Sequence, residues 1–230
     1  MKIGGLQKTS LLDYPEEISS IIWTVGCNYN CPFCYNKDLV NGKPSEISED
    51  EILSFLEKRK KLIDGLVITG GEPFLQKDLA DFCKKVKKIG YKIKIDTNGT
   101  FPDKLKELID EKLIDYVAMD VKAPFKKYED LAGKKVDSKT IKKSIKILME
   151  SGIDYEFKTT FIPDLLKKED ILEIAKELKG AKNYFLQQFK NDVPLLSDEI
   201  IEKNPYSRQY LQETLKELKP YFTNCKIRGD

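Results

Sequence analysis

The stretch GCNYNCPFCYN, at 26–36, holds Cys27, Cys31 and Cys34, three of the chain's five cysteines. Thiolates are nucleophiles and soft metal ligands. The C-x3-C-x2-C spacing suits a loop wrapped around one polynuclear centre. A closed tetrahedral zinc site needs a fourth ligand, so Cys83 or Cys225 would have to come round. On a [4Fe–4S] cluster the same three thiolates leave one iron without a protein ligand. An open metal position of that kind is how a site admits a substrate. Phe33, between the last two cysteines, either packs over a hydrophobic loop or covers the centre and a flat ring beside it. Cys83 and Cys225 read as incidental thiols, Cys83 as a small core residue beside Phe82 and Val86.

There is no histidine. That removes the commonest general base, the Ser-His-Asp and Cys-His arrangements, and every His-containing zinc site. Chemistry has to run on Cys, Asp, Glu, Lys, backbone groups or a bound cofactor. The 40 Lys and Arg and 38 Asp and Glu are interleaved and give a net charge of +2. The basic runs at 58–61 and 84–88 read as solvated helix faces, not as a nucleic-acid stripe. Only Arg59, Arg208 and Arg228 are arginines, and heavy Lys and Glu use is a hyperthermophile tendency. No apolar run approaches the roughly 18 residues of a membrane span. MKIGGLQKTSLLDYPEE at the N-terminus lacks the apolar segment of a secretion signal. A cytoplasmic location is expected, where disulfides are rare.

The elements that must position this chemistry alternate regularly. Apolar, β-branched runs predict strands at 18–25, 65–70, 91–96, 115–121, 154–162 and 183–189. Helical spacing predicts helices at 48–62, 77–90, 102–113, 138–152, 168–180 and 207–219. The tail, 223–230, reads as a short strand with a polar end. The 230 residues, 40% hydrophobic and 34% charged, suit one α/β domain spanning 1–230. Six β–α units in series imply right-handed crossovers and a parallel sheet. The sheet closes either as an open doubly wound sheet or as a barrel of the TIM kind. In both, functional residues gather at the carboxyl ends of strands.

The strand ends carry the unusual residues. The cysteine loop follows the first strand, GGEP (70–73) the second and DTNGT (96–100) the third. The fourth ends in MDVKAP (119–124), the fifth in KTTFIP (158–163) and the sixth in QQF (187–189). A Gly70-Gly71 turn lets backbone approach a ligand closely. Glu72 is either a ligand contact or only an acid at a helix start. Asn98-Gly99 is a strong turn dipeptide. Asp120 and Lys122, two apart on a strand, share one side as an ion pair or as ligand contacts.

GCNYNCPFCYN followed by GGEP resembles the radical S-adenosylmethionine (SAM) superfamily, over nearly the whole chain. The resemblance implies a partial (β/α)6 TIM-like barrel. LLDYPEEISSIIWTVGCNYNCPFCYN is similar to the opening of glycyl-radical-enzyme activating enzymes, most of all those assigned to anaerobic ribonucleoside-triphosphate reductase. That branch reads L-x-D-Y-P-G before the first strand and C-x-x-x-C-x-[YF]-C-[HY]-N at the cluster. D-T-N-G and M-D-[VIL]-K-A-P also belong to its pattern. The resemblance implies a [4Fe–4S] cluster on Cys27, Cys31 and Cys34, its open iron chelated by SAM's amino and carboxylate groups. It implies SAM contacts at Phe33, Tyr35, Gly70, Gly71 and Glu72, then Asp96, Asn98, Asp120 and Lys122. Lys158 stands where relatives offer Arg, and Thr160 and Gln188 are further candidates. The implied reaction is one-electron cleavage of SAM to a 5′-deoxyadenosyl radical, which takes hydrogen from a glycine Cα of a partner enzyme. The implied electron donor is a flavodoxin or ferredoxin. No side-chain acid or base is required, which suits a chain without histidine.

The chain also departs from the pattern. Glu16 replaces the Gly after Tyr-Pro, and Tyr35 stands where many members have His. No cysteine lies at 37–69, so no additional cluster domain is expected. Other readings are a small-molecule radical SAM enzyme such as a deazapurine-forming synthase, a peptide-modifying enzyme, and a zinc-held interaction module.

Overall fold

The structure is a computed structural model and describes residues 1–42 and 46–229. Its strands are β1 (Ile3–Ser10), β2 (Ser19–Thr24), β3 (Gly65–Gly70), β4 (Lys92–Thr97), β5 (Tyr116–Asp120), β6 (Asp154–Phe161), β7 (Asn183–Gln188) and β8 (Asn224–Arg228). They form one 8-stranded sheet in chain order. Only the first pair is antiparallel; from β2 onward every neighbour is parallel. A doubly wound sheet reverses its strand order at a switch point. This sheet does not, so it is the partial barrel, open between β1 and β8.

The helices are α1 (Lys37–Val40), α2 (Glu49–Arg59), α3 (Leu79–Ile89), α4 (Pro102–Asp110), α5 (Tyr128–Ala132), α6 (Ser138–Glu150), α7 (Lys168–Glu177), α8 (Asp198–Ile201) and α9 (Arg208–Leu218). α2 shows why they form where they do. The Ser48 side chain accepts from the Glu51 N–H, acids fill the first turn, and Lys58 and Arg59 close the last. Among the described residues no helix is long and apolar enough to cross a membrane.

Period-2 alternation gives each strand two different faces. Ile68, Ile95, Val117, Phe157 and Leu186 pack into the main core with Phe82, Leu105, Ile141 and Ile171 of the helices. The other face looks into the barrel and carries Lys94, Asp96, Glu156 and Lys158. At its amino-terminal end Tyr14 turns in from the β1–β2 connection. It forms a small apolar plug with Ile21, Val67 and Tyr116, its ring 5.9 Å from that of Tyr116. Above the plug Glu156 is fully buried. It accepts from the Tyr116 hydroxyl at 2.9 Å and from both terminal nitrogens of Arg228 at 2.5 and 3.0 Å. Arg228 also lies 3.8 Å over the Phe185 ring.

The predicted strands and long helices are present, mostly with ends trimmed by one to three residues. The tail strand is β8; residue 230 lies outside the described residues. β1 was not expected, because IGGLQKTS has two glycines and no clean alternation. It is a strand because β2 pairs with it, and Gly5 lies against the Trp23 side chain.

Candidate active site

The cysteine loop is a backbone-held structure. The Gly26 N–H donates to Leu39 O at 2.9 Å, and the Asn30 N–H donates to Ala132 O, the end of α5, at 2.8 Å. The Cys34 N–H closes a turn on Cys31 O at 3.0 Å. From the segment after β7, the Leu196 and Ser197 N–H groups donate to Cys34 O and Pro32 O at 3.1 and 2.9 Å. Cys27, Cys31 and Cys34 all line one cleft at the carboxyl end of the sheet, whose atom-free space with its open mouth is about 840 Å³.

Burial raises all three thiols, pushing Cys31 up to about 12, while Lys122 works in the other direction. Iron must therefore displace protons as it binds. Among the described residues no three His, Cys, Asp or Glu side chains converge tightly enough to hold one ion.

Phe33, Tyr35, Gly70, Gly71, Asp96, Asn98, Asp120, Lys122, Lys158 and Thr160 line the same cleft, as the sequence led us to expect. Glu72 is different: it is wholly buried behind the wall. It accepts from Thr97 Oγ1 at 2.8 Å, from the Asn98 N–H at 2.8 Å and from the Phe74 N–H at 3.2 Å. Its carboxylate is spent joining the ends of β3 and β4, so it is a positioning residue and not a ligand contact. Burial raises its pKa to about 7 against those hydrogen bonds. Gln188 is likewise corrected. It faces away and donates to Tyr206 O at 2.8 Å, while Gln187 lines the cleft. One residue of strand alternation accounts for the error.

The Gly-Gly turn also has a different cause from the one expected. The Gly71 N–H donates to Thr24 O and the Glu72 N–H to Gly26 O, both at 2.9 Å. A Cβ on Gly71 would stand 1.9 Å from Gly26 O. The glycine is needed for contact between the two loops, whatever the ligand.

The cleft's floor is a chain of ions. Asp96 is held by Lys94 at 2.7 Å and Lys158 at 3.1 Å, Lys158 reaches Asp120 at 4.0 Å, and Asp120 meets Lys122 at 3.4 Å. Burial opposes the Asp96 charge, but the two lysines outweigh it and hold the carboxyl well below its usual range. Burial likewise opposes the Lys158 charge, yet Asp96 and Asp120 lift it to about 12. Lys122 sits 5.7 Å from the centre of the Phe33 ring.

Sequence reasoning missed Tyr29, Asn36, Thr69, Thr97 and Gln187 as cleft residues, and Lys94 behind Asp96. Strand parity identifies Thr69, Lys94 and Gln187 as inward-facing. Tyr29 was legible only as another residue within the cysteine loop. Asn28, also in that loop, accepts from Asn98 Nδ2 and donates to Thr100 Oγ1, each at 2.8 Å. The cysteine, GGEP and DTNG segments are thus one hydrogen-bonded unit.

The pattern of the radical SAM superfamily matches residues 21–179. The chain belongs to that superfamily, whose enzymes use a [4Fe–4S] cluster and SAM. A relative in Methanocaldococcus jannaschii, named for an assigned role as a glycyl-radical enzyme activating enzyme, is 37% identical over 98% of this chain and 95% of its own. The pyruvate formate-lyase-activating enzyme of Clostridium pasteurianum is 27% identical over 94% of this chain and 90% of its own. The 7-carboxy-7-deazaguanine synthase of Koribacter versatilis is 34% identical over 59% of this chain and 58% of its own. Among solved structures, SuiB of Streptococcus suis bound to S-adenosylmethionine superposes with a TM-score of 0.70 at 17% identity, over 91% of this chain. This chain spans 50% of that one, so the likeness is one of fold.

The residues present fit both cofactors. Three soft thiolates on one wall suit the cluster. Paired acids and lysines opposite them suit a zwitterion, which needs both signs of charge within a few ångström.

Proposed function

We propose that this chain activates a glycyl-radical enzyme. The supporting observation is the pairing of a three-thiol loop with a charged floor, in a chain alignable nearly end to end with relatives named for that role. Cys27, Cys31 and Cys34 hold the cluster. Lys122 and Lys158 hold SAM's carboxylate, Asp120 its amino group, and Asn98, Thr160 and Gln187 its remaining polar edge. Phe33 and Tyr35 shield the site from water. Bound together, the cofactors supply reductive cleavage of the SAM sulfonium and abstraction of one hydrogen atom. The partner fitting the sequence pattern is an anaerobic ribonucleoside-triphosphate reductase, with a flavodoxin or ferredoxin as electron donor.

The test is to mix anaerobically reconstituted, reduced protein with SAM and the candidate reductase. A glycyl doublet by electron spin resonance, with one 5′-deoxyadenosine released per radical, is expected. SAM cleavage without a doublet on any glycyl-radical partner would reject the assignment. A second reading, a deazapurine-forming synthase, draws on the partial match to such enzymes. It predicts conversion of a small molecule to a deazapurine, with no radical left on any protein partner.

A further inference from the structure

Tyr29 lies in the cysteine loop between Cys27 and Cys31 and lines the cleft together with all three cysteines. The residue is 4% exposed, and its hydroxyl has no hydrogen-bond partner. Buried hydroxyls almost always find a partner, because leaving one unpaired costs its full desolvation. Packing alone needs only the ring, which phenylalanine supplies equally.

Burial, and after it the ionisable groups Tyr128, Cys31, Glu72 and Cys27, keep the phenol protonated. Two of these have other engagements. Glu72 accepts from Thr97, Asn98 and Phe74, and the Tyr128 hydroxyl reaches Asp120 O at 3.4 Å. Tyr29 shares the cleft wall with the three cysteines, and its own N–H already donates to Cys27 Sγ at 3.4 Å, so the residue is wrapped around the sulfur side of the site. A phenol keeps its proton at neutral pH and is a donor. Sulfur anions are acceptors, and hydrogen bonds to cluster sulfurs are one of the levers that set a cluster's potential.

We propose that the Tyr29 hydroxyl donates a hydrogen bond to a sulfur of the cluster held by Cys27, Cys31 and Cys34, and thereby raises its reduction potential. The proposal rests on those three cysteines carrying the cluster. The donor stabilises the added electron more than the oxidised state, because the reduced centre is the more negative. Tyr29 is thus a positioning and tuning residue. It makes the cluster easier to charge from an external donor, at some loss of driving force for the electron's onward transfer.

The experiment is Tyr29→Phe, reconstituted beside the wild type, with iron and sulfide counted and the midpoint potential titrated by electron spin resonance. Expected are unchanged iron and sulfide and a lower potential. The reduced-to-oxidised ratio at a fixed poise should fall about tenfold, which for one electron is about 59 mV. Electron–nuclear double resonance of the reduced wild type in deuterated buffer should show an exchangeable proton coupled to the cluster that the variant lacks. An unchanged potential and proton spectrum overturn the proposal. So does loss of cluster iron in a folded variant, which would make the hydroxyl a scaffold group. If the variant does not fold, a wild-type spectrum without any coupled exchangeable proton overturns it unaided. A wild type that binds no iron would instead defeat the cluster assignment itself.

Discussion

Single residues do separable jobs at this site. Cys31 is the most buried of the three candidate ligands, and no fourth thiol lines the cleft among the described residues. Cys31→Ser is expected to lower bound iron by more than the roughly 10–100-fold that loss of a merely supporting partner costs. Cys225→Ser, on β8, should leave iron unchanged; metal analysis after anaerobic reconstitution checks both. Glu72 carries a pH signature. Its carboxyl titrates near 7 in the fold against an ordinary value of 4.5. Between those values the folded chain retains a proton that the unfolded chain has released. Stability therefore falls as pH rises from 4.5 and the loss is complete above about 7, a change on the order of 3 kcal/mol from this group. Glu72→Gln should flatten that slope in urea unfolding of the iron-free protein at several pH values. The roles of Glu72 and Gln188 were not legible in the sequence. A motif shows which residues gather, whereas the direction of one side chain depends on strand parity and on which N–H groups lie behind it.

Elements meet at the site through backbone, and glycines mark the contacts. Gly71 touches Gly26 O, and Gly133, just past α5, would place a Cβ 2.2 Å from Asn30 O at a φ of +65°. Gly152 has a similar φ of +76° but open space around it. Gly152→Ala should thus cost only the left-handed backbone strain, roughly 1–2 kcal/mol. Gly133→Ala adds to that strain a clash that backbone must yield to, about 1–3 kcal/mol more, whereas Gly71→Ala, whose φ is not left-handed, meets the clash alone; both should also loosen iron binding. Denaturant midpoints and iron retention on dilution separate the two classes. The order of β2 to β7 and of the long helices was readable from apolar periodicity and helix start signals, whereas β1 was not. The short α1, α5 and α8 were not, because four or five residues carry too little pattern.

At the scale of the molecule, an open sheet has to be finished at both ends. Tyr14 closes the amino-terminal end, which gives the D-Y-P segment a packing role and no chemistry. Arg228 ties the last strand to Glu156 across the interior. Removing Arg228 takes a partner from the wholly buried Glu156, but the guanidinium is itself one-third exposed and water can take its place in part, so Arg228→Ala should cost about 1–3 kcal/mol. Replacing both partners with apolar residues of similar volume should recover much of it; thermal unfolding of the single and double variants checks this. The Arg-Gly tail had no assignable role from sequence, because the partner it needs lies 72 positions away.

The cysteine loop's shape is set by amide-to-carbonyl bonds to α5, to the segment after β7 and to its own turn. These bonds are expected to supply the order that in small zinc domains waits for metal. Damage and repair are therefore expected to be uncoupled from folding. Oxygen can destroy the inorganic centre while the scaffold survives, and the same polypeptide can be charged again once air is gone. Cycles of exposure and anaerobic reloading should restore iron in full, with the far-ultraviolet circular dichroism unchanged throughout.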